Sequence, residues 1–76
     1  MKYKWQITYI PNIGIVNDLC VAGKPIARLI ATTIHKGENF DFTFIHHNEI
    51  KTIKARTCAN AKKEVEEQLL YELMYA

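Results

Sequence analysis

The chain has 76 residues, 49% of them hydrophobic and 24% charged, with a formal net charge of +2. That length suits one domain near the lower limit for a core that folds without disulfide or metal staples. The apolar share excludes a disordered tail, and so small a charge does not by itself mark a nucleic-acid binder.

Taken in chain order, Lys2–Ile10 is the clearest strand. Tyr3, Trp5, Ile7 and Tyr9 alternate with Lys2, Lys4, Gln6 and Thr8, so one face is apolar and the other polar. Pro11-Asn12-Ile13-Gly14 is a turn signal, because Pro presets an early φ and Gly supplies a later positive one. A second strand follows over Ile15–Val21. Ala22-Gly23-Lys24-Pro25 turns the chain back into a long β-branched strand, Ile26–His35. Lys36-Gly37-Glu38-Asn39 is the next turn, and Phe40–His46 alternates Phe40, Phe42 and Phe44 against Asp41 and Thr43. After the polar break His47-Asn48-Glu49, Ile50–Ala55 reads as a short basic fifth strand.

At Thr57 the apolar period changes from two to about three and a half. Cys58, Ala61, Val65, Leu69 and Leu73 then recur as one stripe, predicting a helix over Cys58–Tyr75 with Thr57 as its N-cap. Lys62 and Lys63 near the positive end of the helix dipole are slightly unfavourable, so this helix depends on packing. The expectation is an α+β fold: a four- or five-stranded antiparallel meander with one C-terminal helix across one face. The helix covers the aromatic face of strands one and four. The other face, with Lys2, Lys4, Gln6, Thr8, Asp41 and Thr43, is expected to be wet and open to a partner.

Cys20 and Cys58 admit one bridge at most. Their places in a strand and at a helix start, where small buried thiols are common, favour free thiols in a reducing cytoplasm. No apolar h-region follows Lys2 and Lys4, and no apolar run approaches roughly 20 residues. The expectation is therefore a cytoplasmic location with neither secretion signal nor membrane partner.

The residues that carry chemistry do not converge in the sequence. His35, His46, His47 and Cys58 invite a metal reading, but C-x-x-C and H-x-x-x-H spacings are absent, and neighbouring His46 and His47 point to opposite faces if both lie on a strand. A turn pairing His35 with Phe40 would set His46 against Leu29. A helix-start Cys58 beside His46 or His47 is a nominal nucleophile pair, yet Cys58 opens the buried stripe. The chain contains no serine, and its glycines stand in separate turns rather than one phosphate loop. The expectation is no catalytic residue, no metal and no cofactor.

Charge offers more. Lys51, Lys54, Arg56, Lys62 and Lys63 fall in one stretch with no acid, followed by Glu64, Glu66, Glu67 and Glu72. This is either a solvated surface with Lys62–Glu66 and Lys63–Glu67 pairs or a bipolar docking surface. The basic residues are candidate contacts to a partner or to nucleic-acid phosphates. Leu70, Tyr71, Met74 and Tyr75, with Leu73, wrap most of the helix end. They are candidate contacts for a homodimer or another partner.

The stretch from Thr57 to Leu69, T-x-x-x-A-K-x-x-V-E-x-x-L, resembles the closing helix of many small phage and prophage β-meander proteins. Trp5 and the hairpin Val21-Ala22-Gly23-Lys24-Pro25-Ile26-Ala27 extend the likeness over most of the chain. The plan is also similar to several anti-CRISPR proteins and phage inhibitors of host enzymes. It is similar to HicB-type antitoxin domains too, except that their Pro-rich segment between strands two and three is missing. No family's functional residues map onto this chain position by position. The resemblance implies a non-enzymatic, phage- or mobile-element-encoded inhibitor that blocks a host protein or ribonucleoprotein, such as a CRISPR–Cas component. The alternative is a nucleic-acid-binding module using the basic corner.

Overall fold

Every alternating segment forms a strand. The computed structural model describes residues 3–34 and 40–74, and within them runs β1 (Tyr3–Ile10), β2 (Gly14–Val21), β3 (Lys24–Ile34), β4 (Phe40–His46) and β5 (Glu49–Ala55). Two helices follow, α1 (Cys58–Gln68) and α2 (Leu70–Met74). The strands lie in the order β1-β2-β3-β4-β5, each antiparallel to its neighbours. This is the α+β meander that the change of period predicts. Among the described residues no helix is long and apolar enough to cross a membrane. Lys2, His35, the Lys36–Asn39 turn and Tyr75 lie outside the described residues.

The turns obey local chemistry, with one substitution of roles. In the first, Ile13 N–H donates to Ile10 O at 3.0 Å, and Asn12 (φ 70) as well as Gly14 (φ 107) takes a left-handed conformation. The second reverses the chain over Ala22 (φ 53) and Gly23 (φ 80), the paired positive φ values that match the twist of a tight hairpin. At the β4–β5 turn, His47 has φ 55, a conformation uncommon outside glycine.

Register then sorts residues into two faces. Trp5 pairs with Leu19, Leu19 with Ala27, Leu29 with Phe44, and Phe42 with Ile53. These side chains, with Ala55 and the helix residues Ala61, Val65, Leu69 and Leu73, form the core. Irregularities at Leu19/Cys20 and Ala31/Thr33 shift the pairing. Ile34, not His35, therefore faces Phe40, and His46 faces Ala27 rather than Leu29. An inserted residue is invisible to an alternation count, because apolar residues on both sides of it keep their own period.

The helix departs from expectation in one respect. It breaks at Leu69 (φ −102, ψ 17) instead of running unbroken to Tyr75. Neither Gly nor Pro marks the break. Leu69 N–H still donates to Val65 O and Leu73 N–H to Leu69 O, both at 3.0 Å, so the stripe continues and both leucines are buried. At the other end Thr57 caps α1 as expected, its Oγ1 accepting from Asn60 N–H at 3.0 Å. Thr57→Ala should therefore lower stability by about 1 kcal/mol, read as a shift of the urea midpoint. An unchanged midpoint would mean the capping bond contributes nothing.

Candidate functional site

α1 packs closest to β5, and this asymmetry decides what the sheet leaves open. On the helix side of β1, only Trp5 is tucked against the core. Its indole N–H donates to Glu66 Oε2 at 2.7 Å, and Lys62 Nζ stands 5.6 Å from the ring centre. Burial, then the charge and hydrogen bond of Glu66, push the Tyr3 hydroxyl above its ordinary value. Beyond Trp5 the helix no longer reaches. Ile7 is 67% exposed and Tyr9 71%, and neighbouring Ile13 and Ile15 are exposed as well. The expected core face Tyr3, Trp5, Ile7, Tyr9 is thus corrected to one half-buried tryptophan and a largely uncovered stripe. The helices meet β1 only at its Tyr3–Trp5 end, so the rest of the strand stays bare.

The two edges of the sheet differ. β5 alternates Glu49, Lys51 and Lys54 with its apolar residues, and such charges discourage pairing with another strand. The described part of β1 carries a single charge, Lys4, among Tyr3, Trp5, Ile7, Tyr9 and Ile10. No strand pairs with its outer edge among the described residues. At one end of this edge a groove of about 260 Å³ runs between Tyr3, Leu70 and Leu73. Leu70, Tyr71 and Met74 are exposed as the sequence suggests, while Leu73 is buried in the core.

The opposite sheet face is drier than expected. Val16 is 0% exposed, and Asp18 and Cys20 are buried beside it. All three are on β2, with paired strands on both sides, and cross-strand neighbours such as Thr8 and Ile30 flank Val16. Asp18 is held by a forked pair with Arg28, Nε to Oδ1 at 2.8 Å and Nη2 to Oδ2 at 3.2 Å. That hydrogen bond raises the Arg28 pKa, against a smaller lowering by burial. Both cysteines are free, Cys20 buried and Cys58 half-buried. Cys58 Sγ accepts from Asn17 Nδ2 at 3.6 Å, a packing role at the start of α1.

The basic corner is only partly gathered. Lys54, Arg56 and Lys63 surround a shallow depression of about 490 Å³, shared with Asn60, Glu64 and Glu67. Lys51 lies 3.9 Å from Glu49 in an exposed pair worth little, and Lys62 is drawn to Trp5. Lys62 is therefore drawn away from the corner, and two carboxylates share the depression with Lys54, Arg56 and Lys63.

The histidines converge where the sequence predicts divergence. His47 lies in the β4–β5 turn, and its left-handed backbone brings its ring to the same side as His46, 4.0 Å between centroids. Glu72, the third residue of α2, meets both. His46 Nε2 is 2.6 Å from Oε2, and His47 Nε2 is 3.0 Å from Oε1. Burial alone would raise the Glu72 carboxyl, but its hydrogen bonds with His47 and His46 and their charge hold it below its ordinary value. His46 also stacks on Phe44 at 6.1 Å. The nominal Cys58–His pair does not form, since Cys58 meets β2 at the start of α1 and the histidines meet α2. Sequence spacing offered no sign of Glu72, which lies 25 residues beyond His47.

No family model matches the chain, and neither a curated protein nor a solved structure does.

Proposed function

We propose that this chain is a non-enzymatic binding domain that takes an extended segment of a partner protein along the outer edge of β1. The observation that carries the reading is the contrast between the two sheet edges. β5 is studded with charges, whereas among the described residues β1 keeps its edge unpaired and its apolar side uncovered at Ile7 and Tyr9. An added strand would gain main-chain hydrogen bonds from the edge. Its alternate side chains would cover Ile7, Tyr9 and Ile15. Exposed Leu70, which lines the groove with Tyr3, adds apolar surface at the other end. The resemblance to phage β-meander proteins supports reading the partner as a host macromolecule that is blocked, a CRISPR–Cas component among them.

The second reading is nucleic-acid binding at Lys54, Arg56 and Lys63, supported by their grouping around one depression. A crosslinked pull-down from bacterial lysate, followed by titration of the captured protein, separates the two. Ile7→Lys should keep the circular dichroism of the fold and weaken capture at least about tenfold, while Lys54→Ala and Arg56→Ala leave it unchanged. If Ile7→Lys binds as well as the parent, the edge is not the docking surface. Binding of DNA or RNA that falls steeply with salt, with a smaller slope in Arg56→Ala, would favour the second reading. Light scattering tests the homodimer: a dimer mass that Ile7→Lys converts to monomer makes a second copy the occupant.

A further inference from the structure

We propose that His46, His47 and Glu72 form a binding site for a divalent transition-metal ion of the zinc type. Its histidines come from β4 and the β4–β5 turn, away from the β1 edge, and its carboxylate from α2. One ligand atom from each residue, two imidazole nitrogens and a carboxylate oxygen, lies within 4.8 Å of the others. Tetrahedral zinc with bonds of about 2.0–2.1 Å spaces its ligand atoms about 3.3 Å apart. His46 Nε2 is 2.6 Å from one Glu72 oxygen, Oε2, and His47 Nε2 is 3.0 Å from the other, Oε1, so a side-chain adjustment brings the three residues to that spacing.

The ligand types select the ion. Two imidazoles with one carboxylate suit Zn²⁺, Co²⁺, Ni²⁺ and Cu²⁺ over Mg²⁺ and Ca²⁺, which prefer all-oxygen cages. Three protein ligands leave a fourth position for water. Glu72 is 41% and His47 71% exposed at the side chain, so an ion reaches the site from solvent. His46 is the anchored member, 17% exposed and stacked on Phe44. The His47 backbone is the unusual feature. Its φ of 55 is uncommon for a residue with a side chain, and it is what turns two adjacent histidines toward one point. Because the ligands come from the β4–β5 turn and from α2, a bound ion would tie the helix end to the sheet.

The test uses the full chain without a histidine affinity tag, with Zn²⁺ in calorimetry and Co²⁺ in visible absorption. The expected result is one ion per chain, tetrahedral Co²⁺ bands, and a melting midpoint raised by about 10 °C at a hundredfold excess over Kd. His47→Gln and Glu72→Gln should each lose at least about tenfold in affinity, while Cys58→Ser changes nothing. His47 is exposed enough that its variant tests the site even if Glu72→Gln does not fold. The absence of one-to-one uptake, or a loss that follows Cys58→Ser rather than His47→Gln, overturns the assignment.

Discussion

Leu29→Ala is expected to lower folding stability by about 3–5 kcal/mol, the upper part of the range for a large-to-small change in a packed core. Leu29 is 0% exposed on the central strand β3, with Asn17 opposite on β2 and Phe44 opposite on β4. A leucine enclosed on both sides leaves a cavity that rigid neighbouring strands cannot close. A chain of this length has about 4–11 kcal/mol of stability in total, so the variant sits near the threshold of folding at room temperature. With a slope of about 1 kcal/mol per molar urea, its midpoint falls by about 3–5 M. Ile7→Ala is the matched control. It removes a similar side chain from the exposed part of β1 beyond Trp5 and should cost no more than about 0.5 kcal/mol. Equal losses in the two variants would show that β1 is covered as well as β3.

The second large effect is at Asp18. Arg28→Ala should destabilise by about 2–4 kcal/mol, because it strands a carboxylate whose side chain is only 12% exposed. Replacing both partners at once, with Asp18→Leu and Arg28→Met, should recover most of the loss, since an apolar pair needs no desolvated charge to be matched. Chemical denaturation of Asp18→Leu, Arg28→Met and the double variant beside the parent closes the cycle. If Arg28→Ala behaves like an ordinary surface change, water reaches Asp18 and the forked pair is incidental.

The two predictions rest on positions that differ in how plainly the sequence marks them. Leu29 lies in a long β-branched run and belongs to a strand on any count. Asp18 does not: it falls between Asn17 and Leu19 with nothing nearby to show that it will be buried, and Arg28 is ten residues away. Their meeting follows from the β2–β3 register, where Asp18 lies opposite Arg28. That register depends on the Ala22-Gly23 turn and on the irregularity beside Cys20, the second of which leaves no trace in the pattern.

The candidate sites divide in the same manner. The exposed end of the helix at Leu70, Tyr71 and Met74 was legible, because an apolar residue outside the i, i+4 stripe has no core to enter. The basic corner was legible only as composition. Packing then sends Lys62 to Trp5 and places Glu64 and Glu67 among the rest. The histidine cluster is not legible, because adjacent histidines diverge only where both lie on one extended strand. His47 instead starts a turn, and Glu72 arrives from a helix that breaks at Leu69 without a local signal.

What the sequence determined by itself is the set of elements and their order. Period-two alternation, turn residues at fixed offsets and the change of period at Thr57 are local properties, and a local property survives whatever the rest of the chain does. Thr57 capping α1 is the clearest case, since donor and acceptor are three residues apart. Which strand the helix covers, which edge stays open, and which charges meet were decided by tertiary packing alone. A short helix covers only part of a wide sheet, and its placement near β5 leaves Ile7 and Tyr9 bare. The same placement brings Glu66 to Trp5 and Glu72 to the histidines. These contacts join residues 25 to 61 positions apart, and their partners are set by the summed packing of the core rather than by any neighbour in sequence.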